Sequence, residues 1–185
     1  MIRLPRTLRL DPSDTVVFER AAEPGEWAVP GGFAFWDEDP AALAGRRRQE
    51  FRAGFLGLGS FGWSTLVEVA EATPAERAGA VEALAARILS AYGAPGADAA
   101  RAAAEEEVAF AASLCDHPPG TVLALTRSVE DGAVRERFRT LHRRDGPPAD
   151  RSRLPVFGVV EVEGEDEPAE QVDLSALGPR AGQGR

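Results

Sequence analysis

The chain has 185 residues, of which 44% are hydrophobic and 28% are charged, a composition typical of one ordinary globular domain. The formal net charge is −9; without residues 161–185, 19 arginines stand against 23 acids, a net charge of −4, which disfavours nucleic-acid binding. All 21 basic residues are arginine, which excludes mechanisms that need a lysine, such as a Schiff base or a Walker A phosphate loop.

Three short runs rich in strand-forming residues open the chain, with turn residues between them. They predict strands over residues 7–10, 15–20 and 27–35, joined as an antiparallel meander. Pro30-Gly31-Gly32 interrupts the third run, so we expect that strand to lie at a sheet edge or to contain a bulge.

A helix and a strand are predicted next. Asp39 followed by Pro40 is typical of a helix start, and long or apolar side chains then recur every four residues, so we expect a helix over residues 40–55. Residues 61–70 alternate between large apolar and small or polar side chains, which predicts a strand with one buried face, at the centre of the sheet.

Two further helices are predicted in the middle of the chain. Thr73-Pro74-Ala75-Glu76 is a capping box, and the helix that it begins should end at Gly93. A second amphipathic helix should run from Asp98 to shortly before Pro118.

The chain then returns to strands, predicted over residues 121–129, 133–141 and 155–162. Asp131-Gly132 between the first two indicates a hairpin. Two blocks of strands separated by helices predict an α+β fold: a single domain with a mainly antiparallel sheet and about three helices packed on one face. We expect this domain to cover residues 1–163, and residues 164–185 to form an acidic, disordered tail.

The sequence contains no obvious signal for export or membrane insertion. Arg3, Arg6 and Arg9 interrupt the first ten residues, so we expect no signal peptide, and no apolar run approaches the length of about 20 residues that spans a bilayer. We therefore expect a cytoplasmic protein without membrane contact.

Two short motifs resemble known binding sites, but the elements predicted around them do not fit those sites. Gly57-Leu-Gly59-Ser-Phe-Gly62 matches a dinucleotide fingerprint, but a predicted helix precedes it and a strand follows, the reverse of the required order.

Cys115-Asp116-His117 brings together possible metal ligands, but Cys115 lies at a predicted helix C-terminus among apolar residues. We expect it to be buried and unreactive, with His117 capping the helix. No metal site, cofactor or catalytic residue is predicted.

Glu107 is a candidate functional carboxylate. The helical period places it beside Phe110 on the apolar side of its helix, where burial would raise its pKa and suit it to act as a general base. The alternative, which we favour, is an ion pair with an arginine at the edge of the core.

Arginines and tryptophans provide candidate binding surfaces. Basic residues cluster on the predicted first helix and on one face of a predicted strand, where they would bind an anionic ligand, an acidic partner or the chain's own tail, or be merely solvated. Aromatic residues on an uncovered sheet face would mark a partner site, although most should be core. The candidate residues are Trp36, Arg46, Arg47, Arg48, Trp63, Glu107 and Arg137.

Three stretches of the sequence, residues 25–36, 51–65 and 104–115, carry a resemblance to a known family. They resemble an uncharacterised bacterial family, a domain of unknown function found mostly in proteobacteria, and the resemblance extends to about residue 162. It implies no catalytic motif. It does imply an association with molybdenum-dependent formate dehydrogenases and their assembly factors.

Two functional hypotheses follow. The first is a non-enzymatic accessory or assembly protein that binds a protein partner, in metalloenzyme maturation such as that of molybdenum-dependent formate dehydrogenase. The alternative is a small-molecule-binding module or enzyme that acts on an anionic metabolite with Glu107 and arginines. A closed pocket where Glu107 meets an arginine would favour the second hypothesis, and an exposed aromatic patch the first.

Overall fold

A computed structural model describes residues 1–141 of the chain. This part contains two antiparallel sheets and four α-helices in one α+β domain, which confirms the predicted fold class. The strand predicted over residues 155–162 and the tail predicted over 164–185 lie outside the described residues. The elements are β1 (Ile2–Leu8), α1 (Ser13–Val17), β2 (Ala28–Val29), a 3-10 turn (Gly32–Phe35), α2 (Gly45–Ala53), β3 (Phe55–Gly57), β4 (Trp63–Ser64), β5 (Leu66–Ala72), α3 (Pro74–Ala91), α4 (Ala97–Ser113), β6 (Val122–Glu130) and β7 (Ala133–Leu141).

The larger sheet has the strand order β1-β5-β6-β7, and every neighbouring pair is antiparallel. β5 therefore lies inside the sheet, which confirms the central position predicted from the alternating pattern. The single strand predicted over residues 61–70 is wrong, however, because Trp63–Ser64 pairs in the smaller sheet as β4 and β5 begins only at Leu66. The smaller sheet has the order β2-β3-β4, with β2 at its edge, so the edge position predicted for the strand before Pro30-Gly31-Gly32 is also confirmed.

Two hydrophobic clusters hold these elements together. In the first, Leu84 of α3 and Val108 of α4 are buried with Phe35 from the 3-10 turn. In the second, Val67 and Leu123 of the larger sheet are buried with Phe55, Cys115 and other apolar side chains. Each large side chain buried in this way contributes about 1.5–3 kcal/mol, so these clusters are the main source of stability.

The predicted N-terminal meander is wrong in two of its three strands. Residues 13–17 form a short helix, because the amide and hydroxyl of Thr15 both donate to the Pro12 carbonyl and the Ser13 amide donates to Asp11 Oδ1. The third run keeps only two strand residues, because Gly31 adopts φ +75° and turns the chain into the 3-10 turn. Only β1 is a full strand, and it begins earlier than predicted.

The first predicted long helix is shorter than its pattern indicates. The Ala41 amide does donate to Asp39 Oδ1, but the turn that it caps ends before α2 begins. α2 begins only at Gly45, which has φ +55°, and at the other end Phe55 is already in strand β3. The prediction of Asp39 as a capping residue is confirmed, but it caps a single turn and not the predicted helix over residues 40–55.

The later elements match their local sequence signals. Thr73 Oγ1 accepts from the Glu76 amide at 3.2 Å, and Glu76 Oε2 accepts from the Thr73 amide at 2.8 Å, which completes the predicted capping box of α3. Asp131 and Gly132 both have positive φ and form the predicted hairpin turn between β6 and β7.

Candidate functional site

The site is built on a buried arginine that the sequence analysis did not single out. Arg127 of β6 has no exposed side-chain surface. Its guanidinium donates to the Phe51 and Gly54 carbonyls, both at 3.1 Å, to the Pro30 carbonyl, and to Glu136 Oε1 at 2.6 Å. Burial lowers the pKa of Arg127, and the hydrogen bond and charge of Glu136 oppose that shift. The arginine thereby ties the segment after β2 to the end of α2.

Glu107 of α4 holds the next residue of the same segment. Its Oε1 accepts a hydrogen bond from the Gly31 amide at 3.0 Å. Burial is the main cause that raises the pKa of Glu107, and the charge of Glu136 adds to it; the Gly31 hydrogen bond and the charge of Arg127 oppose the rise. The carboxylate thus bonds to a backbone amide, whereas the sequence analysis favoured an arginine partner.

Position 31 requires glycine, and at Gly32 a side chain would displace the Glu136 carboxylate that Arg127 holds. A Cβ atom on Gly31 would lie 2.7 Å from Leu56 Cβ, and one on Gly32 would lie 2.8 Å from Glu136 Oε1. At Gly31 the chain can pass this close to β3, with positive φ, only without a side chain. Arg127, Glu107 and the two glycines therefore fix where the 3-10 turn begins.

The 3-10 turn directs one aromatic side chain to the core and others outward. Phe35 is buried between Phe51 and Trp63, each with its ring centroid 5.3 Å away. Phe33 packs edge-on against Tyr92, also at 5.3 Å. Trp36, directly after the turn, is 67% exposed. Burial of Phe35 therefore anchors the turn that presents the tryptophan.

These outward residues form one wall of a cleft of about 470 Å³, which we call the aromatic cleft. Its other walls come from the C-terminal part of α3 and from α4, where Phe110 is 41% exposed. Among the described residues that line it, two carry a charge, and both are carboxylates. The lining residues are Phe33, Trp36, Ile88, Tyr92, Ala103, Glu106, Glu107 and Phe110.

Of the candidate residues named from the sequence, the structure brings together Trp36 and Glu107 in the aromatic cleft. Arg47 lies close to the turn but is engaged: it pairs with Glu38 and Glu50, donates to the Ala34 carbonyl, and lies 4.1 Å above the Phe35 ring. These interactions of Arg47 position the turn, so its guanidinium is not available to bind a separate anion.

The remaining candidates lie elsewhere. Trp63 is only 5% exposed and packs in the core, so it belongs to no surface. Arg46 and Arg48 are exposed on α2. Arg137 is on β7, where it pairs with Glu130 at 2.9 Å. The sequence patterns therefore combined residues from separate parts of the molecule.

The glycine-rich motif forms the connection between β3 and β4, and its amides are occupied from within the chain. Glu26 Oε2 accepts from the amides of Gly59 and Ser60, at 2.8 and 2.9 Å. A carboxylate of the protein thus takes the place that a phosphate would need. The segment is a plain connection, as the sequence analysis favoured, although it joins two strands rather than a helix and a strand.

Cys115 is buried, as predicted, and burial raises the pKa of its thiol to about 12. Such a thiol stays protonated near neutral pH and is a poor nucleophile or metal ligand. No group of three or more metal-ligating side chains occurs within residues 1–141. Across the same residues, no helix has the length and apolar character that crossing a bilayer requires.

Arg127 and the cleft aromatics were missed for different reasons. The alternation of Leu123, Leu125 and Arg127 along β6 does place the arginine on the buried face, so a signal existed. Phe33, Tyr92 and Phe110 come from three separate segments, and no local pattern predicts that they meet.

Comparison with known proteins identifies the family of this chain. A model of a family of unknown function, DUF6505, matches residues 1–156. The chain belongs to this family. DUF6505 membership confirms the resemblance noted from the sequence, while the bacterial distribution of the family stays a prediction. No curated protein and no solved structure matches the chain.

Proposed function

We propose that this DUF6505 protein is a non-enzymatic accessory protein that binds a protein partner through Trp36 and the aromatic cleft. The observation that supports the proposal is the 67% exposure of Trp36 beside a concave surface with aromatic walls. Exposed aromatic residues at a cleft are typical of partner sites, and tryptophan is enriched among the residues that dominate binding energy.

The anchoring of this surface also supports binding. The turn before Trp36 is fixed at its start by the Arg127 and Glu107 hydrogen bonds to Pro30 and Gly31, and at its last residue by the buried Phe35 ring. A surface that is held in place loses little conformational freedom when a partner binds, so more of the contact energy appears as affinity.

The family resemblance suggests which partners to examine first. It connects such proteins with the maturation of metalloenzymes, and with molybdenum-dependent formate dehydrogenase in particular. We therefore propose the subunits and assembly factors of that enzyme as the first candidates for the partner.

The alternative hypothesis, an anionic metabolite bound by Glu107 and arginines, is less consistent with the site. Glu106 and Glu107 would repel an anion in the cleft. Arg127, the nearest buried arginine to Glu107, already donates to three carbonyls and to Glu136. The raised pKa of Glu107 is the one observation that favours acid-base chemistry.

Affinity purification from the native host, followed by direct binding, tests the proposal. Tagged wild-type protein and the variants Trp36→Ala and Leu10→Ala are each used as bait, and any partner captured by the wild type is then purified for calorimetric titration. Leu10 is a matched control because it is an apolar side chain that is 71% exposed and does not line the cleft.

We expect Trp36→Ala to weaken partner binding by tenfold or more, equivalent to about 1.4 kcal/mol, and Leu10→Ala to leave it unchanged. Equal affinity of wild type and Trp36→Ala would refute the proposed surface. If the wild type captures no partner, the accessory role loses its support, and metabolite binding around Glu107 becomes the question to pursue.

A further inference from the structure

The charges and walls of the aromatic cleft define what part of a partner it accepts. We propose that the cleft binds an arginine or lysine side chain presented by an extended segment of the partner protein. This inference rests on the proposed function and adds the chemical class of the bound group.

The first argument is charge. Glu106 and Glu107 are adjacent on α4, and both line the cleft. The Glu107 carboxylate is oriented by the Gly31 amide, so its negative charge is fixed in direction before any ligand arrives. A cation that enters the cleft meets two carboxylates. The charge of Arg127 acts on Glu107, but its hydrogen bonds go to Glu136 and to backbone carbonyls, and within residues 1–141 no basic side chain lines the cleft itself.

The second argument is the aromatic lining. The faces of tryptophan, tyrosine and phenylalanine rings attract cations, and four aromatic side chains line this cleft. The protein already uses such contacts, with Arg6 4.7 Å from the Trp27 ring and Arg47 4.1 Å from the Phe35 ring. Arg87 lies 5.9 Å from the Tyr92 ring and closer to Phe61, at 5.1 Å.

The third argument is shape. Ile88 and Ala103 add apolar surface to the aromatic lining, which suits the methylene stem of a long basic side chain. Trp36 and Phe110 are exposed, so apolar surface continues outside the cleft. A free small cation would leave that surface uncovered, whereas residues flanking a basic side chain in a polypeptide would cover it. The negative net charge of the whole chain also favours a basic partner.

A pair of tripeptides tests the inference without knowledge of the partner. The probe is acetyl-Leu-Arg-Leu-amide, and its control has citrulline, which is neutral and nearly the same shape, in place of arginine. Binding is followed on the full-length protein by the amide NMR signals of Gly31, Glu107 and Phe110. We expect saturable shifts with the arginine peptide and at least tenfold weaker binding of the citrulline peptide.

Substitutions on α4 connect the effect to the two carboxylates. Glu106→Gln and Glu107→Gln should each weaken the arginine peptide several-fold, whereas Glu105→Gln should not. Glu105 is the matched control because it is exposed on the same helix and does not line the cleft. Since Glu107 also holds Gly31, Glu106→Gln is the variant that tests charge without disturbing the turn.

Three results would overturn the inference. They are equal binding of the two peptides, no saturable shift at the cleft, and binding of acetyl-arginine-amide as tight as that of the tripeptide, which would indicate a small cation as the ligand. The proposed function is tested separately with the captured partner. If Trp36→Ala abolishes binding of the captured partner while Glu106→Gln and Glu107→Gln do not, the proposed partner surface is supported and the inference that a basic side chain occupies the cleft is refuted.

Discussion

Arg127 is a charged side chain without exposed surface, and its burial is tolerated because each of its three nitrogens donates a hydrogen bond. Three backbone carbonyls and one carboxylate receive hydrogen bonds from it. The Pro30 carbonyl follows β2, and the Phe51 and Gly54 carbonyls lie at the end of α2, just before β3. One guanidinium therefore connects the segment after β2, the end of α2 and, through Glu136, strand β7. Removing it would leave several acceptors buried without donors, which is more costly than the loss of a surface ion pair.

We expect Arg127→Met to lower the free energy of unfolding by about 3–5 kcal/mol, because the Glu136 carboxylate and the carbonyls lose their common donor. Arg139→Met on β7 is the control, since Arg139 is exposed and its loss should change stability by no more than about 0.5 kcal/mol. Urea denaturation of both variants measures the difference. A small effect of Arg127→Met would show that the chain repacks around the apolar side chain and that the hydrogen bonds contribute little.

Glu107 should make stability depend on pH in a definite direction. Burial raises the pKa of this carboxyl in the folded state above its value in the unfolded chain, so the folded state binds the proton more tightly. The corresponding stabilisation is fully present below the unfolded pKa and is lost as pH rises through the folded pKa. Relative to Glu107→Gln, the wild type should therefore become less stable as pH rises from about 4, the pKa of an unperturbed glutamate, until the folded-state pKa is passed.

Urea denaturation of wild type and Glu107→Gln at intervals across this range gives the difference in unfolding free energy. Glu71→Gln, at an exposed position on β5, controls for the removal of one carboxylate. A difference that stays constant, or that moves in the wild type's favour as pH rises, would contradict the burial of Glu107. It would instead indicate that the Gly31 hydrogen bond dominates.

At the scale of elements, the 3-10 turn depends on two properties of Gly31: its positive φ and the lack of space for a side chain. Gly25 shares only the first property, so a comparison of the two glycines measures each effect. Both have positive φ, +75° and +86°, but a Cβ on Gly25 would contact nothing within 4 Å, whereas one on Gly31 would lie 2.7 Å from Leu56 Cβ. We expect Gly25→Ala to cost about 1 kcal/mol from backbone strain alone, and Gly31→Ala to cost about 1–3 kcal/mol more. Thermal or urea denaturation measures both.

Gly31→Ala should also displace the turn that presents Trp36, so partner binding should weaken in this variant and not in Gly25→Ala. Fluorescence of the tryptophans, one of which is largely exposed, reports such a displacement in the unbound protein. Equal losses of stability in the two variants would show that β3 moves away readily and that the turn is not tightly constrained.

Elements that are determined locally were predictable from the sequence, and elements that depend on distant contacts were not. The capping box of α3 and the Asp131-Gly132 turn use hydrogen bonds and φ angles within four residues. Helix α1 combines the two kinds of contact: local hydrogen bonds around Pro12 begin it, but its Asp14 carboxylate also accepts from the amide and hydroxyl of Thr65, 51 residues away. The alternating pattern of residues 15–20 contains no information about that contact.

The same distinction applies at the scale of the whole molecule. The composition and the order of elements were sufficient for the α+β class and for the central position of β5. The aromatic cleft joins residues 33–36, 88–92 and 103–110, and the Glu107 bond to Gly31 spans 76 residues. The helical period predicted that Glu107 and Phe110 lie together, but only the fold shows which aromatic residues face them.

The extent of the domain gives a prediction for the whole chain. The family match ends at residue 156, and both described hydrophobic clusters are formed by residues before 126, with Phe138 packed against one of them. Residues 164–185 contain five acids, two arginines and no aromatic residue, so they offer little apolar surface to bury.

We expect a chain of residues 1–163 to keep the unfolding free energy of the full chain to within about 0.5 kcal/mol, the size of effect that changes away from a core usually have. Urea denaturation of the two chains at high salt, where the altered net charge is screened, measures this directly. A loss of several kcal/mol would mean that residues after 163 belong to the folded domain and that the predicted boundary is wrong.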